Sequence, residues 1–216
     1  MIESNINDCI YVAAEPSVNL EVVNLIKTKK IPIILEKPIS NSYKNIKLLK
    51  SITKKHKLFV YPNLTNYFAE TFEKIKILIN KNSSKIKRII IYEGNFGPFR
   101  SNIHPIWDWG FHPISLLYVL FENHKFSNVK MNEIKLNNVY GKGIVSKFSF
   151  YINSNIKVDV VTGNLFKKKI RKMKVILNNN DFILNDMILH KLFFNKKLKF
   201  ENNLTPITSL LNSFER

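Results

Sequence analysis

Short apolar runs alternate with amphipathic stretches over the first 61 residues of this chain. The runs at 9–14, 31–35 and 58–61 contain few polar residues, as expected of strands that are buried on both faces. The stretches at 19–30 and 41–57 carry apolar residues three or four positions apart, which predicts helices. This pattern indicates a parallel sheet with helices on both sides. In open sheets of this kind, ligands bind at the edge where the strands end.

The rest of the chain has a different pattern. A predicted helix at 67–80 and a predicted loop that turns into a helix at 105–121 are followed by strand-like runs. Asn, Gly and Ser separate these runs, which predicts a mostly antiparallel sheet. The predicted strands of this part are 87–92, 129–136, 144–152, 157–162, 172–177 and 182–184. We therefore expect two domains, one at 1–61 and one at 62–216.

The chain is strongly basic, with 34 Lys and Arg residues against 16 Asp and Glu and a formal charge of +18. Of the 34 basic residues, four are arginines and 30 are lysines. With 28 Asn and 29 Ile, the lysines make up 87 of 216 residues, and all three types have A/T-rich codons. Proteins that bind phosphates and bases favour arginine, because its guanidinium forms bidentate hydrogen bonds. Codon composition therefore explains the positive charge of this lysine-rich chain better than a nucleic-acid partner does. An RNA-binding module stays open as an alternative.

Several classes of protein are disfavoured by what the sequence lacks. No apolar run approaches the roughly 18 residues that a membrane-crossing helix needs. The opening residues, MIESNINDC, have neither the basic nor the apolar segment of a secretory signal. Cys9 is the single cysteine, which excludes an internal disulfide and a cysteine-based zinc site. We expect a cytoplasmic protein without membrane contact and without a metal.

The first candidate site is the charged pair Glu36-Lys37, which follows the second apolar run and precedes Pro38. Proline fixes its own φ and ends the strand, so the orientation of the pair before it is restricted. A lysine at the edge of a buried strand is partly desolvated and can exchange protons or stabilise negative charge. The alternative is that the strand leaves the core here with two solvated charges.

The second candidate site is the segment Asp108-Trp-Gly-Phe-His112. If the segment is helical, Asp108 and His112 lie on one face about 6 Å apart. A carboxylate beside an imidazole fixes its tautomer and supports its protonated form, which makes a usable acid–base pair. This spacing is common, however, and the alternative is that the aromatic segment belongs to the core.

In order and approximate spacing, the two motifs resemble those of the Gfo/Idh/MocA family of glucose–fructose oxidoreductase and inositol dehydrogenase. The segment 8–16 is similar to the family's strand before a cofactor loop, and 31–38 to its strand ending in Glu-Lys-Pro. Asp-x-Gly-x-His at 108–112 is similar to the start of a family helix, and 206–214 to the segment before its last helix. The resemblance covers essentially the whole chain.

The resemblance implies an α/β fold in which a partial parallel sheet of the Rossmann type precedes an α+β domain with a mostly antiparallel, open sheet. It assigns 1–61 to part of a dinucleotide-binding domain and 62–216 to a substrate and oligomerisation domain. In the family, the open sheet often mediates dimers or tetramers, so a homo-oligomer is expected.

The resemblance also implies an oxidoreductase that uses NAD or NADP on a sugar, polyol or nucleotide sugar. Lys37 is then the lysine near the reacting carbinol, His112 takes or gives the hydroxyl proton, and Asp108 positions substrate and His112. A base poised near the working pH lowers the barrier to proton loss, and a nearby cation favours the developing alkoxide. The residues implied in cofactor binding are Ala14, Glu15, Pro16, Glu36 and Pro38, and those implied in substrate binding are Lys37, His104 and Trp109.

The chain departs from the family at the phosphate-binding turn. The family's Rossmann domain opens with a strand, a Gly-rich turn and a helix that bind the pyrophosphate. The six glycines of this chain begin at Gly94, so the Gly-rich N-terminal half of that domain has no counterpart in it. The alternative to an active enzyme is therefore a truncated, non-catalytic relative that acts as a binding or oligomerising subunit.

Overall fold

The computed structural model describes residues 9–138, 141–202 and 204. The chain divides into two compact units, Met1–Leu64 and Thr65–Arg216. The division falls three residues after the predicted boundary at 61. Asp8 and the segment 206–214, both part of the resemblance, lie outside the described residues.

The described part of the first unit is a small parallel sheet with two connecting helices. Its strands pair in the order β1-β2-β3, and both pairings are parallel, which confirms the predicted alternation. The elements are β1 (Ile10–Val12), α1 (Asn19–Ile26), β2 (Ile33–Leu35), α2 (Tyr43–His56) and β3 (Val60–Pro62). Strands and helices both contribute to the core, which contains Val12, Val23, Ile26, Ile33 and Leu35.

The two helices of this unit end differently from the prediction. α2 begins after Ser42, whose hydroxyl accepts the Asn45 amide, and ends at His56, which is followed by Lys57 with a left-handed φ of 52°. α1 ends at Ile26, four residues before the predicted end, because a turn in which Lys30 has positive φ follows it. α2 is the longest helix of the described residues with 14 residues, and none of the described helices is long and apolar enough to cross a membrane.

The second unit is built around a large sheet. Its described strands pair in the order β11-β10-β9-β8-β4-β7-β6-β5, and β4–β7 is the parallel pair among antiparallel ones, which confirms the mostly antiparallel prediction. The helices are α3 (Glu70–Lys81), α4 (Pro105–Trp109) and α5 (Phe111–Leu120). The strands are β4 (Ile86–Phe96), β5 (Phe126–Asn138), β6 (Gly141–Ile152), β7 (Ile156–Gly163), β8 (Leu165–Leu177), β9 (Phe182–Asp186), β10 (Lys191–Phe194) and β11 (Lys197–Glu201).

One face of the large sheet forms the core with α3 and α5. Phe72 of α3 and Leu117 of α5 belong to the same buried cluster as Ile91 of β4. The other face presents apolar side chains to solvent, since Tyr92 is 41% exposed and Ile134 is 65% exposed. Alternation along each strand therefore separates a packed face from an open one.

Strand ends were the least accurate part of the prediction. All six predicted strands, β4 to β9, extend beyond their predicted ranges, while β10 and β11 were not predicted. Hydrogen bonding to a neighbouring strand continues where the apolar alternation stops, so pairing overrides local composition there. The predicted helix at 67–80 is a 3-10 turn, Thr65–Phe68, followed by α3.

Candidate functional site

Three polar side chains meet at the carboxyl edge of the parallel sheet. The Tyr11 hydroxyl donates to Glu36 Oε2 across 2.9 Å. The Asn63 amide nitrogen donates to the same carboxylate oxygen across 2.9 Å and to the Tyr11 oxygen across 3.0 Å. Glu36 and Asn63 directly follow β2 and β3, so the parallel strands bring them to one edge. Glu36 is among the predicted cofactor residues, whereas Tyr11 and Asn63 were missed.

This edge cluster changes the acidity of its tyrosine. Partial burial raises the pKa of Tyr11 above its ordinary 10.0, and the hydrogen bond to Glu36 and the charge of that carboxylate raise it further. The hydrogen bond from Asn63 acts in the opposite direction but is outweighed. Tyr11 is therefore a neutral hydrogen-bond donor at neutral pH.

The remaining predicted cofactor residues lie on the loops after β1 and β2. Ala14 and Glu15 are exposed, and Pro16 is buried. Lys37 is half-buried and precedes the buried Pro38 through a cis peptide bond. Their roles stay predictions.

In the second unit, Asp108 and His112 lie at the junction of α4 and α5. Both residues are buried, with 7% and 8% of their surface exposed. Gly110 separates the two short helices, and its amide donates to the Ile106 carbonyl. A Cβ on Gly110 would lie 2.5 Å from that carbonyl oxygen, so only glycine allows this close approach. Where a loop turning into a helix is predicted, the structure thus has two helices joined at the glycine of the motif.

A chain of polar contacts leads from His112 into the core of the second unit. His112 Nδ1 lies 3.2 Å from the Asn66 amide nitrogen. Arg171 Nη1 donates to Asn66 Oδ1 across 2.7 Å, and Arg171 Nε donates to Glu93 Oε1 across 2.6 Å. Glu93 is completely buried. We call these four residues the His112 network.

A partly buried carboxylate, that of Glu133, lies near the start of α4. The His104 ring accepts the Ile106 amide at Nδ1, and its Nε2 lies 3.3 Å from Glu133 Oε1. Ser146 donates to the same oxygen, and Lys135 lies 3.2 Å from Oε2. Desolvation alone would raise the pKa of Glu133, but the hydrogen bonds from Ser146 and Lys135 and the nearby positive charges lower it overall. Both ring nitrogens of His104, a predicted substrate residue, thus already have contacts within the protein.

Trp109, the other predicted substrate residue of this unit, has a buried indole N–H. Among the described residues, Nε1 has no hydrogen-bond partner. Its neighbour Asp108 has a carboxylate oxygen 3.9 Å from Arg100 Nε. The junction of α4 and α5 therefore offers a buried hydrogen-bond donor beside a buried acid.

Glu93 and Arg171 were not predicted as site residues. The sequence contained a signal for each of them, because Glu93 ends an otherwise apolar run and arginine is rare in this chain. No cluster of three or more His, Cys, Asp or Glu residues suited to a metal occurs among the described residues.

Comparison with known proteins identifies the fold. No protein-family model matches the chain. A protein of Magnetospirillum magnetotacticum MS-1, provisionally assigned as an oxidoreductase, aligns with 99% of this chain and 73% of its own at a TM-score of 0.83 and 16% identity. The fold is that of the Gfo/Idh/MocA oxidoreductases. The resemblance predicted from the two motifs is thus confirmed for the fold.

Two further solved structures have this Gfo/Idh/MocA fold. The UDP-N-acetylglucosamine 3-dehydrogenase GnnA of Acidithiobacillus ferrooxidans aligns with 96% of this chain and 68% of its own, at a TM-score of 0.75 and 13% identity. An inositol dehydrogenase homologue of Azotobacter vinelandii, in complex with NADH and myo-inositol, aligns with 91% of this chain and 56% of its own, at a TM-score of 0.75 and 12% identity.

One curated relative is similar in sequence over a short stretch. The ribonuclease E of Buchnera aphidicola is 33% identical over 84 residues, which cover 37% of this chain and 8% of that protein. This match is too short to show a family. The structural similarity to the Magnetospirillum magnetotacticum protein, by contrast, covers 99% of this chain.

Proposed function

We propose that this protein is an NAD(P)-dependent oxidoreductase that acts on a carbinol or carbonyl carbon of a sugar, polyol or nucleotide sugar. The observation that carries the proposal is the His112 network. Burying an ionised pair such as Arg171–Glu93 costs several kcal/mol in desolvation, and apolar residues of similar size would pack at lower cost. A catalytic or binding site needs an imidazole that is held in a fixed orientation by such a network. A domain with a purely structural role has no such need.

The residues of the first unit suit the nicotinamide end of the cofactor. The edge cluster of Tyr11, Glu36 and Asn63 combines a carboxylate, an amide and a hydroxyl, which are the partners that ribose hydroxyls and a carboxamide require. Residues 9–64 contain no glycine, so no residue of this chain is assigned to the pyrophosphate. When bound, the nicotinamide ring supplies or accepts the hydride.

The chain's own residues would handle the substrate oxygen and its proton. The Lys37 ammonium favours negative charge that develops on the oxygen as the C–H bond weakens. His112 and Asp108 supply polar atoms at the α4–α5 junction, and the Trp109 N–H is suited to a substrate hydroxyl as acceptor. These roles follow the family resemblance.

Binding of two reduced nicotinamide compounds tests the proposal. Because no glycine turn holds the pyrophosphate, we expect NADH and reduced nicotinamide mononucleotide to bind this chain within about three-fold of each other, with Kd values on the order of 1 mM. Glu36→Gln should weaken both by roughly ten-fold, since it removes a charged acceptor. Glu21→Gln, the same change on the exposed side of α1, should change neither.

Saturation-transfer NMR on the nicotinamide protons measures these affinities. Absence of binding by both compounds, or equal effects of Glu36→Gln and Glu21→Gln, would contradict the proposal. NADH binding far tighter than the mononucleotide would show that the chain holds the pyrophosphate after all.

A second candidate function, oligomerisation through the large sheet, is favoured by the open face. We propose that a second copy of the chain covers the apolar side chains there, which include the exposed Tyr92, Ile134 and Leu136. Sedimentation velocity should show a dimer or larger assembly, and Ile134→Lys should shift it to monomer. A monomer at high concentration would contradict this assignment without affecting the oxidoreductase proposal.

A further inference from the structure

The orientation of the Asn66 amide is fixed by its neighbour Arg171. A guanidinium has only hydrogen-bond donors, so the group of Asn66 that faces it must be the carbonyl oxygen. Oδ1 lies 2.7 Å from Arg171 Nη1, which leaves the NH₂ group directed at His112 Nδ1 across 3.2 Å. The amide therefore presents a donor to the histidine.

Arg171 cannot turn away to release the amide, because Glu93 holds it. The two residues face each other on the paired strands β8 and β4. Arg171 Nε lies 2.6 Å from Glu93 Oε1, and the Glu93 side chain is inaccessible to solvent while that of Arg171 is 16% exposed. Separating a buried carboxylate from a cation that is hydrogen-bonded to it is costly, so the pair maintains its geometry.

A donor directed at Nδ1 determines where His112 carries its proton. The neutral imidazole has one N–H and one lone pair, and only the lone pair can accept from Asn66. The proton of the neutral ring then resides on Nε2. Protonating Nδ1 would bring two donors face to face and lose a buried hydrogen bond.

We propose that Asn66, held by Arg171 and Glu93, is a positioning residue that fixes His112 as the neutral Nε2–H tautomer. This inference deepens the proposed function and rests on it. The neutral ring in that state has an N–H, and no lone pair, at Nε2. As a neutral ring of this tautomer, His112 therefore cannot take the hydroxyl proton at Nε2. This revises the role that the resemblance implies for His112.

The nitrogen NMR spectrum of the ring tests the assignment without cofactor or substrate. The full chain is labelled with ¹⁵N-histidine, and the His112 signals are identified by their loss in His112→Gln. At neutral pH, the wild-type spectrum should show Nδ1 in the unprotonated range and Nε2 as N–H, with at least about a ten-fold excess of this tautomer. A wild-type ring protonated on Nδ1 would overturn the proposal.

Because a solvated histidine already favours Nε2–H modestly, the decisive comparison is Asn66→Asp. This change keeps the shape of the side chain but turns the donor that faces His112 into an acceptor, while both oxygens remain suited to Arg171. We expect the Nδ1 resonance to move by tens of parts per million into the protonated range.

The matched control is Asn178→Asp, which adds the same charge at an exposed turn position and should leave the His112 tautomer unchanged. A ring that stays unprotonated at Nδ1 in Asn66→Asp, or one that switches equally in the control, would overturn the proposal. If Asn66→Asp does not fold, the wild-type spectrum still decides. Failure of nicotinamide binding would overturn the proposed function and leave the tautomer assignment intact.

Discussion

Arg171 and Glu93 face each other on adjacent antiparallel strands, with 2.6 Å between Nε and Oε1. The carboxylate is inaccessible to solvent, and the same guanidinium donates to Asn66 beside His112. A single ion pair therefore belongs both to the core of the large sheet and to the candidate site. Stability of the unit and orientation of His112 depend on the same residues.

Removing the guanidinium should destabilise the protein strongly. Arg171→Met removes a cation that is hydrogen-bonded to the buried Glu93 carboxylate, and we expect a loss of about 3–5 kcal/mol in the free energy of unfolding. The double variant Glu93→Gln/Arg171→Met should be more stable than Arg171→Met, because the buried negative charge is gone. Urea unfolding measures both.

The control for this experiment is the exposed pair Lys191–Glu201, whose side chains are 32% and 42% exposed. Lys191→Met should cost less than about 1 kcal/mol, since solvent screens such pairs. Equal losses for Arg171→Met and Lys191→Met would show that the buried pair has no special importance.

The acid stability of the protein should depend on Asp159. Burial alone would raise the pKa of this carboxyl, but hydrogen bonds from Ser149 and Arg88 and the charge of Arg88 lower it below 3.8 overall. A carboxyl whose pKa is lower in the folded than in the unfolded protein stabilises the fold at pH values above its unfolded-state pKa. This stabilisation is lost as the pH falls through the folded-state pKa. Asp159→Asn should therefore reduce the free energy of unfolding at neutral pH.

The difference between wild type and Asp159→Asn should shrink progressively below about pH 4. Ser149→Ala should raise the Asp159 pKa, which carboxyl NMR can follow, because the serine hydroxyl donates to Oδ1 across 2.6 Å. A stability difference that is independent of pH would refute the assigned contacts.

The titration of Tyr11 tests the edge cluster of the parallel sheet. Glu36→Gln should lower the pKa of Tyr11 toward 10.0, because the negative charge and the strong acceptor are removed. Asn63→Ala should raise it, since the amide donates to the tyrosine oxygen. Ultraviolet absorbance titration, with Tyr11→Phe subtracted, measures both shifts, and shifts of the opposite sign would rule out the cluster.

Much of the fold could be predicted from local patterns. The alternation of apolar runs and amphipathic stretches in 9–62 specifies parallel pairing, because strands buried on both faces need crossover helices. The short final strand β11, Lys-Leu-Lys-Phe-Glu, is mostly charged, and it is a strand because it pairs with β10. Such pairing depends on the rest of the sheet, so a local pattern cannot specify it.

The predicted site residues that belong to the α4–α5 junction all come from one short sequence motif. His112 and Asp108 share one short segment, but Asn66 and Arg171 are 105 positions apart and meet only through the fold. Arginine content was a usable signal. In a chain that uses lysine almost everywhere, the three arginines of the described residues, Arg88, Arg100 and Arg171, each lie within 4 Å of a carboxylate.

The most direct test of the account is formation of reduced nicotinamide by the purified chain. It is incubated with NAD⁺ or NADP⁺ and a panel of polyols, aldoses and nucleotide sugars that includes myo-inositol and UDP-N-acetylglucosamine. We expect turnover with one class of carbinol, and Lys37→Ala and His112→Ala should each lower it by roughly 10²–10⁴-fold while nicotinamide binding persists. No turnover across the panel at concentrations that saturate binding, or undiminished turnover in both variants, would contradict the account and favour a non-catalytic relative.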